Sequence, residues 1–409
     1  MKNNFDVVVI GAGPSGAIAS SRLLQAGLSV LVIEKTTFPR FVIGESLLPQ
    51  CMDYLEKADL LDCVKDLKSQ VKTGVIFYHE NETCDFLFKE RFSEGWDYTY
   101  QVKRADFDHA LIKEVEKKGA TVTFNSEVKD VKTSKDVQTV FYTDEKGNEN
   151  QISCRFVIDA SGYGRVLPKL FDLEQPSDLE SRGAIFTHLV DDKRTDQAAE
   201  NIFVNAFNNN SAWVWSIPFS DGTSSVGVVG NDEFIKEIRE NDGEKFSEIV
   251  RSFPGLNDRY AESKFLFEPK TILGYSIGIK QLHGEGFVLC GNSTEFLDPI
   301  FSSGVMFALA SGYEAADLVV KELSGETVDW DKEYDAFLLH GVSVFRSYVD
   351  AWYNGNLHTI IFEKDGKKEF KEQICSVLAG YVWDMSNPFV KKHKNLLKTL
   401  AKVIEIKNT

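Results

Sequence analysis

The chain has 409 residues, 43% hydrophobic and 26% charged, a globular balance that excludes disordered, collagen-like and low-complexity chains. Its 46 Lys and Arg stand against 62 Asp and Glu, a net charge of −16, so its average field repels phosphates and makes nucleic acid and anionic membrane poor partners. At roughly 150 residues per domain, this length suggests two or three structural units.

No basic segment followed by an apolar run opens the chain, so no signal peptide is expected. The longest mostly apolar stretch, Gly304 to Val320, carries Glu314 and Asp317, so no transmembrane segment is expected either. Cysteines 51, 63, 84, 154, 290 and 375 form no CxxC pair. That usage fits a reducing, cytoplasmic compartment, with no disulfide framework and no metal site.

In chain order, residues 5–10 (FDVVVI) read as a buried strand, a helix of period near 3.6 runs from the glycines at 11–16 to Gly27, and 29–33 (SVLVI) is the next strand. This is one βαβ unit with parallel strands. A helix is predicted from about Glu45 to Lys57, strands at 71–78 and 98–102, a helix over Asp106 to Lys118 and a short strand at 120–124. Three strands follow between 126 and 158. Residues 182–230 alternate without intervening helices, which predicts an antiparallel sheet laid over the first domain. Residues 286–290 form a further buried strand. Helices are predicted at about 303–323, 329–353 and 390–405, the last with Lys391, Lys392, Lys394, Lys398 and Lys402 on a solvated face.

Gly11-Ala12-Gly13-Pro14-Ser15-Gly16 is GxGxxG between a strand and a helix. Gly11 permits the tight turn and Gly13 the close approach of a pyrophosphate, which the helix N-terminus stabilises. Gly16 allows helix and strand to pack closely. Glu34, 18 residues after Gly16, ends the second strand, where a carboxylate can accept ribose hydroxyls. The motif alone does not separate FAD from NAD. Asp159-Ala160-Ser161-Gly162 closes one later strand, and Gly291-Asn292 closes another before Asp298. Strand ends spread over the chain suggest a long ligand stretched across the domain.

Trp213 and Trp215, in a WxWxIP run, point to one strand face and make either a rigid apolar wall or ordinary sheet core. Residues 296–304 (FLDPIFSSG) open a helix that Ser302 could cap, leaving the amides of Ser303 and Gly304 as free donors for an anion, or as a plain helix start. Lys72 lies within an apolar strand run. It is either solvated or buried, and burial would lower its pKa and make it a nucleophile or hydrogen-bond donor. The seven histidines show no ligand spacing.

Taken together, GxGxxG, the run from Phe38 to Pro49 (FPRFVIGESLLP), Lys72, WxWxIP and FLDPIFSSG resemble the flavin-dependent halogenases, the tryptophan halogenase superfamily, over nearly the whole chain. The likeness is nearer the branch that acts on phenols, pyrroles or carrier-bound groups. It implies an α/β flavoprotein of the p-hydroxybenzoate hydroxylase type. A discontinuous FAD-binding, Rossmann-like domain would comprise 1–70, 100–170 and 270–325, an antiparallel-sheet substrate domain 71–99 and 171–269, and a C-terminal helical region 326–409. It implies FAD, reduced by a separate flavin reductase, with chloride or bromide as co-substrate and a small aromatic or carrier-protein-bound group as acceptor. FAD contacts are implied for Gly11, Gly13, Pro14, Ser15, Gly16, Glu34, Lys35, Arg40, Ser46, Arg104, Val128, Asp159, Gly162, Asn292, Asp298 and Gly304. Asn292 stands where the family typically has Asp, which removes a charge. A halide would sit on the amides of Ser303 and Gly304, and the hypohalous acid formed near the flavin would reach Lys72, with Trp213 and Trp215 lining the barrier between flavin and substrate. Two other readings stay open: a flavin oxidoreductase without halogenation, like the geranylgeranyl reductases or aromatic hydroxylases, and a non-catalytic flavin-binding protein.

Overall fold

The computed structural model describes residues 4–408 apart from 80–81, 178–179, 192, 195–199, 242, 254–255 and 296. The first sheet grows from strand β1 (Asn4–Ile10), helix α1 (Pro14–Gln25) and strand β2 (Val30–Ile33). β1 pairs in parallel with β2 on one side and with Glu149–Asp159 on the other, and Phe287–Leu289 extends the parallel set. All four residues of β2 are buried, as the unbroken apolar run requires of a strand covered on both faces. Parallel pairing brings the carboxyl ends of these strands to one edge, at Ile10, Ile33, Asp159 and Leu289. Ligands of open α/β sheets bind outside that edge. The helix Gly304–Leu323 packs closely on α1, because a side chain at Gly312 would lie 2.5 Å from the Ser15 carbonyl oxygen.

The strands Arg182–Val190, Ile202–Phe207, Ala212–Pro218 and Thr223–Asn231 stay out of this sheet and belong to a second, seven-stranded one. Its order is Lys270–Ile272, Arg182–Val190, Thr223–Asn231, Ala212–Pro218, Ile202–Phe207, Gly74–His79 and Glu82–Leu87. Neighbours are antiparallel except Ile202–Phe207 beside Gly74–His79, which run parallel. Period-two alternation sends Phe186, Val204, Trp213 and Trp215 to the core shared with the first sheet. It sends Ile185, Val214, Val226 and Val228 to the other face, against helices Asp232–Glu240 and Glu244–Ser252.

The structure departs from the sequence reading at several points. The run 71–78, expected as one strand, breaks at Thr73. Gln70–Lys72 forms a separate ribbon with Thr99–Gln101, and Gly74–His79 joins the second sheet. The Asn201 side chain holds the break by accepting from the Thr73 and Gly74 amides at 2.8 and 2.9 Å. The helix expected from Glu45 begins only at Gln50, after Pro49, because Ser46 pairs with Gln101 instead. Lys270–Ile272, expected with the dinucleotide sheet, pairs with Arg182–Val190. The helices Asp232–Glu240, Glu244–Ser252 and Lys368–Leu378 were not anticipated. The C-terminal region is helical as expected, with Ala336–Tyr353 and His393–Asn408 its longest members after Gly304–Leu323.

Candidate functional site

A cavity of about 660 Å³ lies over the carboxyl edge of the first sheet, and residues of both sheets line it. From the first sheet, the turns at its carboxyl edge and the start of α1 come Gly11, Gly13, Pro14, Ser15, Glu34, Lys35, Val128 and Gly162. From the second come Ala184, Phe186, Trp213, Trp215 and Ile217.

The three motif glycines do different work. Gly11 has φ +99°, and a side chain there would come within 2.5 Å of the Ala160 carbonyl oxygen. A side chain at Gly16 would meet the Gly11 carbonyl oxygen at 2.0 Å. These two serve close packing of turn, helix and strand. Gly13 lines the cavity, and the nearest atom to a side chain there would be Arg40 Nη2 at 3.6 Å. It leaves open the space a pyrophosphate needs at the start of α1, whose N-cap carries no side-chain bond. The Glu34 carboxylate is held in place by the Ala12 and Thr36 amides, each at 2.9 Å.

Arg40 and Arg104 both line the cavity and share one counter-ion. Asp108 accepts from Arg104 Nε at 2.7 Å and Nη2 at 2.9 Å, and from Arg40 Nη1 at 3.1 Å. Asp108 is fully buried and escaped the sequence reading, although its i, i+4 spacing from Arg104 at a helix start was the available signal. Arg40, the nearest group to a side chain built at Gly13, offers a cation to an anionic dinucleotide there. The arrangement fits FAD.

Ser46, Asn292 and Gly304 also line the cavity. Asp159 lies behind the wall, fully buried, and its carboxylate is taken up by Ser161 N at 2.8 Å, Leu167 N at 2.6 Å and Ser293 Oγ at 2.9 Å. It orders the turns that carry Gly162 and Asn292. Asp298 is likewise buried. It accepts from Ile300 N, Tyr353 Oη and Tyr275 Oη, and burial raises its carboxyl above the usual range.

The Gly304–Leu323 helix has Ser303, not Ser302, at its N-cap, with no side-chain bond to its first turn. Ser302 takes a left-handed conformation, φ +57°, that turns the chain into the helix. Ser302 and Gly304 face the cavity, and Ser303 is buried beside them. Phe296, at the head of this motif, lies outside the described residues.

Trp213 and Trp215 lie side by side in the wall, ring centroids 5.8 Å apart. Their indoles are anchored, Trp213 Nε1 to Tyr353 Oη at 3.0 Å and Trp215 Nε1 to Ser225 Oγ at 3.1 Å. Lys72 is 1% exposed and does not line the cavity. Its Nζ donates to the Leu47 carbonyl at 2.9 Å and stands 5.4 Å from the Phe88 ring centroid. Burial strips water from the charged form and brings its pKa down to about 7.

A buried pair on the cavity's rim was also missed. His188 Nε2 lies 2.7 Å from Glu45 Oε1, which joins the loop before Ser46 to the second sheet. Neither residue carries a sequence pattern that announces the other, since they are 143 positions apart. Elsewhere, His283 lies 3.1 Å from Asp331 and 3.6 Å from Asp335 on the surface.

The FAD binding domain family matches residues 4–248. The crystal structure of a flavoprotein/dehydrogenase from Cytophaga hutchinsonii superposes with a TM-score of 0.96 at 45% identity, covering 99% of this chain and 100% of that one. A 1H-pyrrole-2-carbonyl-[peptidyl-carrier protein] chlorinase from Pseudomonas fluorescens is 28% identical over 93% of this chain and 90% of its own length. A tryptophan 2-halogenase from Chondromyces crocatus is 30% identical over 86% of this chain and 69% of its own. With the dinucleotide cradle, the paired tryptophans and the buried lysine in one fold, the chain belongs to the FAD-binding flavoenzymes and, within them, to the flavin-dependent halogenase family.

Proposed function

We propose that this enzyme halogenates an electron-rich aromatic or heteroaromatic ring, presented as a small molecule or on a carrier protein, with flavin reduced by a separate reductase. The carrying observation is Lys72, an amine wholly removed from water, with a pKa of about 7, just behind the Ser46–Leu47 segment of the flavin cavity. A solvated surface lysine would have neither property. The relative named as a carrier-protein chlorinase supports the carrier-bound form of the substrate.

Reduced FAD, when bound, supplies with oxygen the two-electron oxidising power that turns halide into a hypohalous species. The chain's own residues bind and confine. Gly13 and the start of α1 take the pyrophosphate, Glu34 the ribose, and Arg40 and Arg104 balance the negative charge. The first-turn amides at Ser303 and Gly304 hold the halide. Trp213 and Trp215 keep a bulky substrate and bulk water from the flavin, which suits an oxidant that water and stray side chains would consume. Near neutral pH, Lys72 is partly the free amine, so it can either take the halogen from hypohalous acid, the N–halogen bond forming as the halogen–oxygen bond breaks and hydroxide leaves with an amine proton as water, or hold the acid by hydrogen bond.

The test is mass spectrometry of the holoenzyme incubated with a flavin reductase, chloride or bromide, and free and carrier-bound pyrroles, phenols and indoles. Halogenated product that disappears in Lys72→Ala, with FAD retained, is expected. Absence of halogenated product from every acceptor would overturn the reading. A dehydrogenase without halogenation is the second reading. The neighbour at 45% identity bears that name, and Asn292 removes an acid typical of the family.

A further inference from the structure

The strand His283–Gly284 closes one edge of the first sheet by pairing with Phe287–Leu289. Facing it, Asp331–Asp335 makes a single π turn ahead of the Ala336–Tyr353 helix. Such turns are rare and recur at functional sites. Strand and turn together converge three donors. His283 Nε2 lies 3.1 Å from Asp331 Oδ1 and 3.6 Å from Asp335 Oδ2, and one donor atom from each residue falls within 4.8 Å of the others. No spacing in the chain announces this set, since His283 and Asp331 are 48 positions apart.

Both segments are held in place. The Trp330 ring stacks on His283 at 5.7 Å and on Phe156 at 5.6 Å, and its indole N–H donates to Glu322 at 2.7 Å. Tyr334, inside the turn, donates to the Leu289 carbonyl at 2.6 Å. The charge, by contrast, is unbalanced. Two carboxylates share one place, and among the described residues no Lys or Arg lies within 4.0 Å of either. Lys332, between them in sequence, is engaged with Asp329. Asp335 Oδ1 is buried without a hydrogen-bond partner. A neutral imidazole brings no positive charge to this pair, so the set calls for a cation.

We propose that His283, Asp331 and Asp335 bind a divalent transition-metal ion of the zinc type, which clips the edge of the first sheet to the C-terminal helices. Donors about 2.0–2.2 Å from a zinc ion stand roughly 3–4 Å apart, close to the spacings found here. One imidazole and two carboxylates favour zinc over magnesium or calcium, which take oxygen ligands. Nε2 binds as the neutral imidazole, with its proton on Nδ1. The His283 and Asp335 side chains are 21% and 22% exposed and Asp331 is 85% exposed, so the outer position is left to water. None of the three lines the flavin cavity, and the site stands apart from the halogenation reading.

The test adds Zn²⁺ to the chelator-treated holoenzyme. Calorimetry should give one zinc per chain, and Tm should rise by about 3 °C when zinc reaches about 100 times Kd. Asp331→Asn and Asp335→Asn keep the shape and each remove a ligand charge. Loss of a group behind the ligands typically costs about 10–100-fold in metal affinity, so each variant should lose at least about 10-fold. His283→Gln should lose zinc likewise while its flavin absorbance stays that of the parent. Asp331→Ala, at the most exposed of the three positions, serves if Asp335→Asn fails to fold. Equimolar Mg²⁺ should not displace the zinc. No saturable binding at up to about 100 μM zinc would overturn the site. So would zinc bound equally by the parent and every variant, and so would displacement by equimolar Mg²⁺. His283 would then be an ion-pair partner of the two aspartates alone.

Discussion

The Trp213 indole N–H donates to the Tyr353 hydroxyl at 3.0 Å, and Tyr353 donates onward to Asp298 Oδ2 at 2.8 Å. Trp213 belongs to the second sheet, Tyr353 ends the Ala336–Tyr353 helix, and Asp298 lies in the loop before Gly304. The Arg182 guanidinium sits 3.6 Å from the Tyr353 ring centroid and closes the arrangement from the sheet side. One tyrosine thus ties the cavity's tryptophan wall to the C-terminal helices and to the loop that leads to Ser303.

Tyr353→Phe should break that tie. It leaves the indole N–H unpaired and removes a donor from a buried carboxyl, a loss of about 1–3 kcal/mol. A lower Tm and a shifted tryptophan emission are expected, with FAD still bound. Unchanged melting and emission would show that the link bears no load.

Gly13→Val and Gly11→Ala should separate binding from packing. A side chain at Gly13 projects into the cavity near Arg40, so FAD affinity should collapse while the fold persists. At Gly11 even one methyl meets the Ala160 carbonyl at 2.5 Å with φ at +99°, so stability should fall by about 1–3 kcal/mol or more. Flavin absorbance of the purified variants and urea melts decide it. A Gly13→Val protein as yellow as the parent would refute the assignment.

Asp108→Ala leaves two cavity arginines without their buried partner. Breaking a buried pair from one side costs about 3–5 kcal/mol, and part of it should appear as lost FAD affinity because Arg40 and Arg104 lose the carboxylate that orients both, Arg104 keeping its bonds to the Ile43 and Gly44 carbonyls. Calorimetry with FAD at low and high salt tests this. An affinity equal to the parent at both would place the triad outside the binding machinery.

Lys72 makes stability depend on pH. Its pKa is about 7 in the fold against 10.5 unfolded, because burial disfavours the ammonium. Between those values the unfolded chain binds a proton that the folded chain does not, so the fold gains stability as pH rises, by up to about 1.4 kcal/mol per pH unit. Lys72→Met lacks this contribution. Urea melts across the window should show the variant more stable near neutrality and its advantage shrinking as pH rises. A pH-independent difference between the two would mean that Lys72 is hydrated.

Much of the cofactor side was legible because it is local. The GxGxxG turn, α1 and Glu34 lie within one βαβ unit, where backbone sterics and helix-end chemistry operate over a few residues. The alternation across 182–230 likewise reports a two-faced sheet directly. The helices Asp232–Glu240 and Glu244–Ser252 went unseen because their apolar residues were read as part of the sheet region around them, and only the sheet's outer face shows what they cover.

The elements that complete the cavity depend on distant partners. Asn201 breaks the strand before Gly74 from 127 positions away, and that break puts Lys72 in the ribbon beside Thr99. Glu45 meets His188, and Trp213 meets Tyr353 across 140 positions. The turn glycines and strand periodicity were enough for a dinucleotide-binding βαβ unit, since those signals arise from neighbouring residues, whereas the family and the flavin came from the resemblance of several motifs spread along the chain. Whether Lys72 is solvated or buried was decided by the packing of one sheet on another, because desolvation belongs to a residue's surroundings in space and leaves no mark on its neighbours in the chain.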